Sequence, residues 1–155
     1  MNVQLAYDHP YPVQVSGLVA SYGDQVVLEG VDFQARKGLI NVILGGSGSG
    51  KSTLLRNILG LYQPVAGEVR LFGVPINELS EQELTTVRSE IGVVFQNGAL
   101  FTSMSVGDNI AAVLQEHAQL PPEIIAQVVR MKLALVGLEQ AVTKFPDELS
   151  GGMRK

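Results

Sequence analysis

Gly45-Gly46-Ser47-Gly48-Ser49-Gly50-Lys51-Ser52 carries the residue types and spacing that phosphate chemistry needs, because it fits the pattern G-x-x-x-x-G-K-[ST]. The glycines let backbone N–H groups turn inward around β- and γ-phosphate oxygens. A helix starting near Lys51 points its positive end at the same anion. In that arrangement Lys51 neutralises the β/γ-phosphates, the Ser52 hydroxyl ligates Mg²⁺, and Thr53 lies beside them at the start of the helix. The alternative is a glycine-rich turn with an incidental lysine, and the flanking elements separate the two readings.

Those elements are legible. Residues 39–44, Leu-Ile-Asn-Val-Ile-Leu, form a mostly apolar run, as expected of a parallel strand buried on both faces. After the glycine loop, Leu54, Leu55, Ile58 and Leu59 recur at helical spacing and predict a helix over 51–61. Upstream, short β-rich runs at 13–19, 26–28 and 31–35, with a turn at Tyr22-Gly23-Asp24, predict a small antiparallel sheet. Downstream come a strand at 67–72, a helix over 80–89 opened by Ser80 and Glu83 as a capping box, and a buried strand at 91–95 ending at Gln96. Helices over 106–117 and from Pro121-Pro122-Glu123 to about Val136 make a helical subdomain. The Asp147-Glu148 pair precedes a further helix start, where acids favour the positive helix end.

The chain of 155 residues suits one ordinary domain with a real core. It has no cysteine, which removes disulfide frameworks and thiolate zinc sites and is compatible with a reducing cytoplasm. With 11 Lys+Arg against 15 Asp+Glu, the net charge is −4, so no basic field argues for nucleic acid as a partner. A mean hydropathy of +0.22 fits either a well-filled interior or a face that another subunit covers. The N-terminus does not read as a signal peptide, and no window approaches about 18 uninterrupted apolar residues. A cytoplasmic protein, peripheral to a membrane through a partner, is the expectation.

A phosphate loop alone leaves kinases, GTPases, helicases and transporters open. The far end of the chain narrows the field, because Leu149-Ser150-Gly151-Gly152-Met153 resembles the LSGGQ signature of ABC ATPases, with Met in the fifth place. Tyr22 resembles the aromatic A-loop residue that stacks on adenine, and Gln96 the Q-loop glutamine that reaches Mg²⁺ and the attacking water. Read without the family, Tyr22 could be a turn tyrosine packed on the sheet and Gln96 a surface glutamine at a strand end.

The resemblance implies an α/β P-loop NTPase core of ABC type, with an N-terminal antiparallel β subdomain and an α-helical subdomain, incomplete at the C-terminus. The expected division is 13–102 for the β subdomain and P-loop core, 103–149 for the helical subdomain, and 149–155 for the start of the signature helix. ATP and Mg²⁺ are the implied cofactors. Two such subunits close head to tail in the family, so Ser150, Gly151 and Gly152 would contact the γ-phosphate of a nucleotide held by a second ABC ATPase subunit. A transmembrane permease subunit is the other implied partner, placing the protein at the cytoplasmic face of the inner membrane.

The stretch from Phe95 to Ile110 and the ending from Leu149 to Lys155 are similar to Mla/Mce-type ATPases, which implies phospholipid transport across the bacterial envelope. A small-solute importer ATPase is the neighbouring alternative, as is an ATP-binding or regulatory module without turnover. A soluble ABC protein of translation or DNA repair would bring long insertions, a tandem cassette or a basic surface, and none is present. The family also uses a Walker B Asp, a catalytic Glu and a switch His, all expected beyond Lys155. These 155 residues alone are therefore expected not to hydrolyse ATP efficiently and to be poorly soluble, with residues 39–44 exposed for want of a neighbouring strand.

Overall fold

The computed structural model describes residues 3–96 and 98–155. Met1, Asn2 and Asn97 lie outside them, the last within the stretch that resembles the Mla/Mce-type ATPases. The chain forms two compact units, Met1–Gly92 and Val93–Lys155.

The first unit is built on a four-stranded antiparallel sheet of order β2-β1-β3-β4, from β1 (Val13–Tyr22), β2 (Gln25–Ala35), β3 (Ala66–Leu71) and β4 (Val74–Pro75). Strict alternation along β1 would bury positions 15, 17 and 19. Instead Val15, Leu18 and Ala20 are buried, because the pairing with both neighbours shifts register after Ser16 and resets the phase. At that bulge the backbones of β1 and β3 come so close that a Cβ on Gly67 would lie 2.4 Å from the Gly17 carbonyl oxygen, so only glycine fits. Residues 26–28 and 31–35 are one strand rather than two. A second irregularity at Glu29-Gly30 lets β2 continue, pairing Leu28 with Ala20 and Val31 with Leu18.

Helices α1 (Lys51–Ile58) and α2 (Glu81–Arg88) complete this unit. Thr53, Leu54, Asn57 and Ile58 are the buried stripe of α1, and Leu54 and Ile58 join Val15, Leu18, Leu28, Val69, Leu71, Leu84 and Val87 in the core. Leu55, expected on the same stripe, is largely exposed. The helix also ends earlier than residue 61. Gly60 takes φ +65°, its N–H donates to the Asn57 carbonyl, and the Leu61 N–H reaches back to the Arg56 carbonyl, which is a Schellman stop. The capping box of α2 forms as expected, with the Ser80 N–H donating to the Glu83 carboxylate at 3.0 Å and the Glu83 N–H donating to Ser80 Oγ at 3.4 Å.

The second unit holds α3 (Val106–His117) and α4 (Pro122–Leu135), packed on Val106, Ile125, Val129, Leu133, Ala141 and Leu149. Gly137 ends α4 as Gly60 ends α1, with the Leu138 N–H on the Leu133 carbonyl. The N-terminus of α3 is pinned by the Val106 and Gly107 N–H groups, which donate to the Lys144 and Val142 carbonyls. Glu148 serves no long helix; its carboxylate accepts from the Phe145 N–H at 2.7 Å within the 3₁₀ turn Pro146–Glu148.

Two expected strands are absent. Residues 39–44 and 91–95 are irregular, and neither pairs with the sheet formed by the described residues. Ile40 is 95% exposed and Leu44 86%. A parallel strand needs ladder partners for its N–H and C=O groups and cover for both faces, and apolar composition supplies neither. Local bonds take over instead: Asn41 accepts from the Arg36 N–H and donates to the Arg36 and Leu39 carbonyls.

Candidate nucleotide site

The loop from Gly45 to Gly50 runs into α1, and Gly50 is its N-cap, in the left-handed conformation (φ 87°, ψ 2°). Among the described residues no side chain caps this helix end, and no acid sits in its first turn, so its positive end is left for another anion. The loop is tight. A Cβ on Gly45 would fall 2.5 Å from Ser49 Oγ, and the Ser49 N–H closes a turn onto the Gly46 carbonyl.

Lys51 folds back over this loop. Its ammonium donates to the Gly45 carbonyl at 3.0 Å, the Gly46 carbonyl at 2.6 Å and Ser49 Oγ at 3.3 Å. The cation is thus held at the mouth of the loop by its own backbone, on bonds that phosphate oxygens can replace. Ser47 and Gly48 form the exposed outer part of the turn, and Ser52 is exposed on the first turn of α1. One neutral hydroxyl there suits Mg²⁺, which keeps water and phosphate oxygens as its other ligands. Thr53, in the first turn of α1, is buried.

Tyr22, at the end of β1, packs against the same helix. Its hydroxyl accepts from Arg56 Nη1 at 3.2 Å, and its ring meets Tyr62 edge to face, with centroids 5.4 Å apart and planes at 80°. The Thr53 hydroxyl first, and Arg56 second, favour the phenolate and lower the Tyr22 pKa from its ordinary value. Arg56 and Tyr62 are the residues that sequence reading passed over. The helical spacing of α1 marked its apolar face, and Arg56 lies on the other one.

Gln96 lies in the second unit, in a turn, where it lines a recess with Gly98, Gly151, Arg154 and Lys155. Gly98 makes this closeness possible, since a Cβ there would lie 3.3 Å from the Arg154 carbonyl oxygen. Leu149 anchors the segment in the core and Met153 packs against it, leaving Ser150, Gly151 and Gly152 exposed between them. A single turn follows, the Arg154 N–H donating to the Ser150 carbonyl at 3.1 Å. Tyr22 and Gly45 to Thr53 therefore share the first unit, and Gln96 shares the second with Ser150 to Gly152.

Residues 28–155 match the family model described as ABC transporter. The chain is 45% identical over 143 residues to the intermembrane phospholipid transport system ATP-binding protein MlaF of Haemophilus influenzae, covering 92% of this chain and 54% of that protein. It is 44% identical to the probable ribonucleotide transport ATP-binding protein mkl of Mycobacterium bovis, covering 92% of this chain and 40% of that one. Among solved structures, the dimeric, post-hydrolysis ATP-binding cassette MJ0796 bound to ADP and Pi superposes with a TM-score of 0.81 at 30% identity, over 92% of this chain and 65% of that one. The chain spans about half the length of the curated relatives it matches.

Proposed function

The chain belongs to the ABC transporter family, and from that premise we propose that it is the nucleotide-binding portion of a transporter's ATP-binding subunit, taking MgATP at the Gly45–Ser52 loop. The observation that carries this is the uncapped, acid-free N-terminus of α1 with the Lys51 ammonium drawn over the glycine loop in front of it. In this reading the loop amides and Lys51 hold the β- and γ-phosphates, Ser52 supplies one Mg²⁺ ligand, and Tyr22 stacks on the adenine.

Gln96 is the second Mg²⁺ contact and water-positioning group. Ser150, Gly151 and Gly152, exposed on the second unit, face the nucleotide of a second ATPase subunit closing head to tail. The dimeric form of the MJ0796 cassette supports that arrangement. A permease subunit would hold the pair at the cytoplasmic face of the membrane; no helix among the described residues is long and apolar enough to cross one itself. Phospholipid is the proposed cargo, on the likeness to MlaF, with a small solute such as a ribonucleotide as the alternative that the mkl likeness favours. Efficient turnover would call on a Walker B Asp, a catalytic Glu and a switch His in addition to the residues named above.

Isothermal calorimetry of the chain and its Lys51→Ala variant tests the reading. MgATP should bind the chain, and the variant should lose binding by about 100-fold or more, the scale of a charge-assisted contact pair at the phosphates. A variant that binds as tightly as the parent removes the loop from the site.

A further inference from the structure

Tyr22, the proposed adenine platform, lies at a strand end and is 39% exposed. An isolated tyrosine in such a place samples several rotamers, and a base stacking on it must halt that motion at an entropic cost. Here the ring is already held at two points. Arg56, from the solvent face of α1, donates to its hydroxyl at 3.2 Å, and Tyr62, beyond the Schellman stop of the same helix, meets its ring at 80°. The guanidinium carbon of Arg56 in turn lies 5.8 Å from the Tyr62 ring centroid, within cation–π range. Each member of the triangle touches the other two, and Arg56 belongs to the helix whose first turn forms the proposed phosphate site.

We infer that Arg56 and Tyr62 are positioning residues for the nucleobase: they fix the plane of Tyr22 relative to α1 and so tie base recognition to the phosphate loop. The inference rests on the nucleotide-binding reading above and goes beyond it by assigning two residues that touch no phosphate. Tyr62 is 45% exposed, so its removal opens no cavity in the core. Its role is in ordering the site rather than in holding the fold.

The experiment compares MgATP with magnesium tripolyphosphate, which has the phosphates and no base, on the full chain and its variants by calorimetry. Tyr62→Ala should weaken MgATP about three- to tenfold, the scale of one side chain left to be ordered on binding, while tripolyphosphate stays within about twofold. Tyr62→Phe keeps the ring pair and should restore MgATP binding. Arg56→Met, which keeps the stem but loses the donor and the cation, should reproduce the base-selective loss. The inference is overturned if Tyr62→Ala leaves MgATP unchanged, if it weakens both ligands equally as a folding defect would, or if Phe fails to rescue. Failure of the underlying reading looks different: tripolyphosphate binding would then be insensitive to Lys51→Ala.

Discussion

Replacing Gly50 by alanine separates the two demands that the loop makes on its glycines. Gly50 and Gly48 both have positive φ, +87° and +79°, so an alanine at either carries the left-handed backbone cost of about 1–2 kcal/mol. Only Gly50 also lacks room. A Cβ there would lie 2.7 Å from Leu28 Cδ2, 3.3 Å from the Val27 carbonyl oxygen and 3.4 Å from Val27 Cγ1. Leu28 is buried, so it cannot swing into solvent, and forcing a methyl into such packing costs about 1–3 kcal/mol more. Gly48→Ala meets nothing within 4 Å. Gly50→Ala should therefore destabilise the first unit by about 2–5 kcal/mol, against about 1–2 kcal/mol for Gly48→Ala, in urea unfolding followed by circular dichroism. Because Gly50 also accepts the first helical bond, from the Leu54 N–H at 2.8 Å, displacing it tilts the amides of α1. MgATP affinity of Gly50→Ala should fall by about tenfold or more. Equal stability losses in the two variants would refute the steric argument, leaving backbone conformation as the whole effect.

Two further outcomes follow from groups away from the loop. Asn57 is almost fully buried on α1, with Nδ2 donating to the Thr53 carbonyl but Oδ1 without a partner among the described residues, so Asn57→Leu, of the same branched shape, should raise stability by about 1 kcal/mol in thermal unfolding; a loss of that size would show that Oδ1 is satisfied. Glu83 has its pKa lowered by the Ser80 hydroxyl and then the Ser80 N–H, so the stability its capping box adds is present above the ordinary glutamate value of 4.5 and is lost as pH falls through the lower, folded value. The Ser80 and Glu83 amide resonances should titrate with a midpoint below 4.5 and become flat in Glu83→Gln; a midpoint at or above that value contradicts the cap.

The helices were legible because their signals are local. Ser80 with Glu83, Pro122, and the 3.6-residue spacing in α3 and α4 act within a few positions of where they are read. The stops at Gly60 and Gly137 are equally local, yet the helix expected over 51–61 ran past Gly60, because its apolar stripe outweighed the glycine. The sheet was less legible. The bulge that puts Val15 and Leu18 on the same face depends on how closely Gly17 approaches Gly67, fifty positions away in the chain, and alternation within β1 holds no trace of it.

The same distinction divides the site. The proposed phosphate cradle is written in eight consecutive residues, so its chemistry can be read directly. The proposed base platform is assembled from a strand end, a helix face and a post-helical turn, which only the folded sheet brings together. Residues 39–44 and 91–95 show the limit from the other side. Their composition is that of buried strands, yet strand is a property of a pair, and nothing in a run such as Leu39-Ile40-Asn41-Val42 names its partner. With no ladder among the described residues, Asn41 satisfies its neighbours' backbone groups and Ile40 faces outward. An apolar run that precedes a phosphate loop therefore fixes where the loop begins, while whether it becomes a strand depends on residues elsewhere in the molecule.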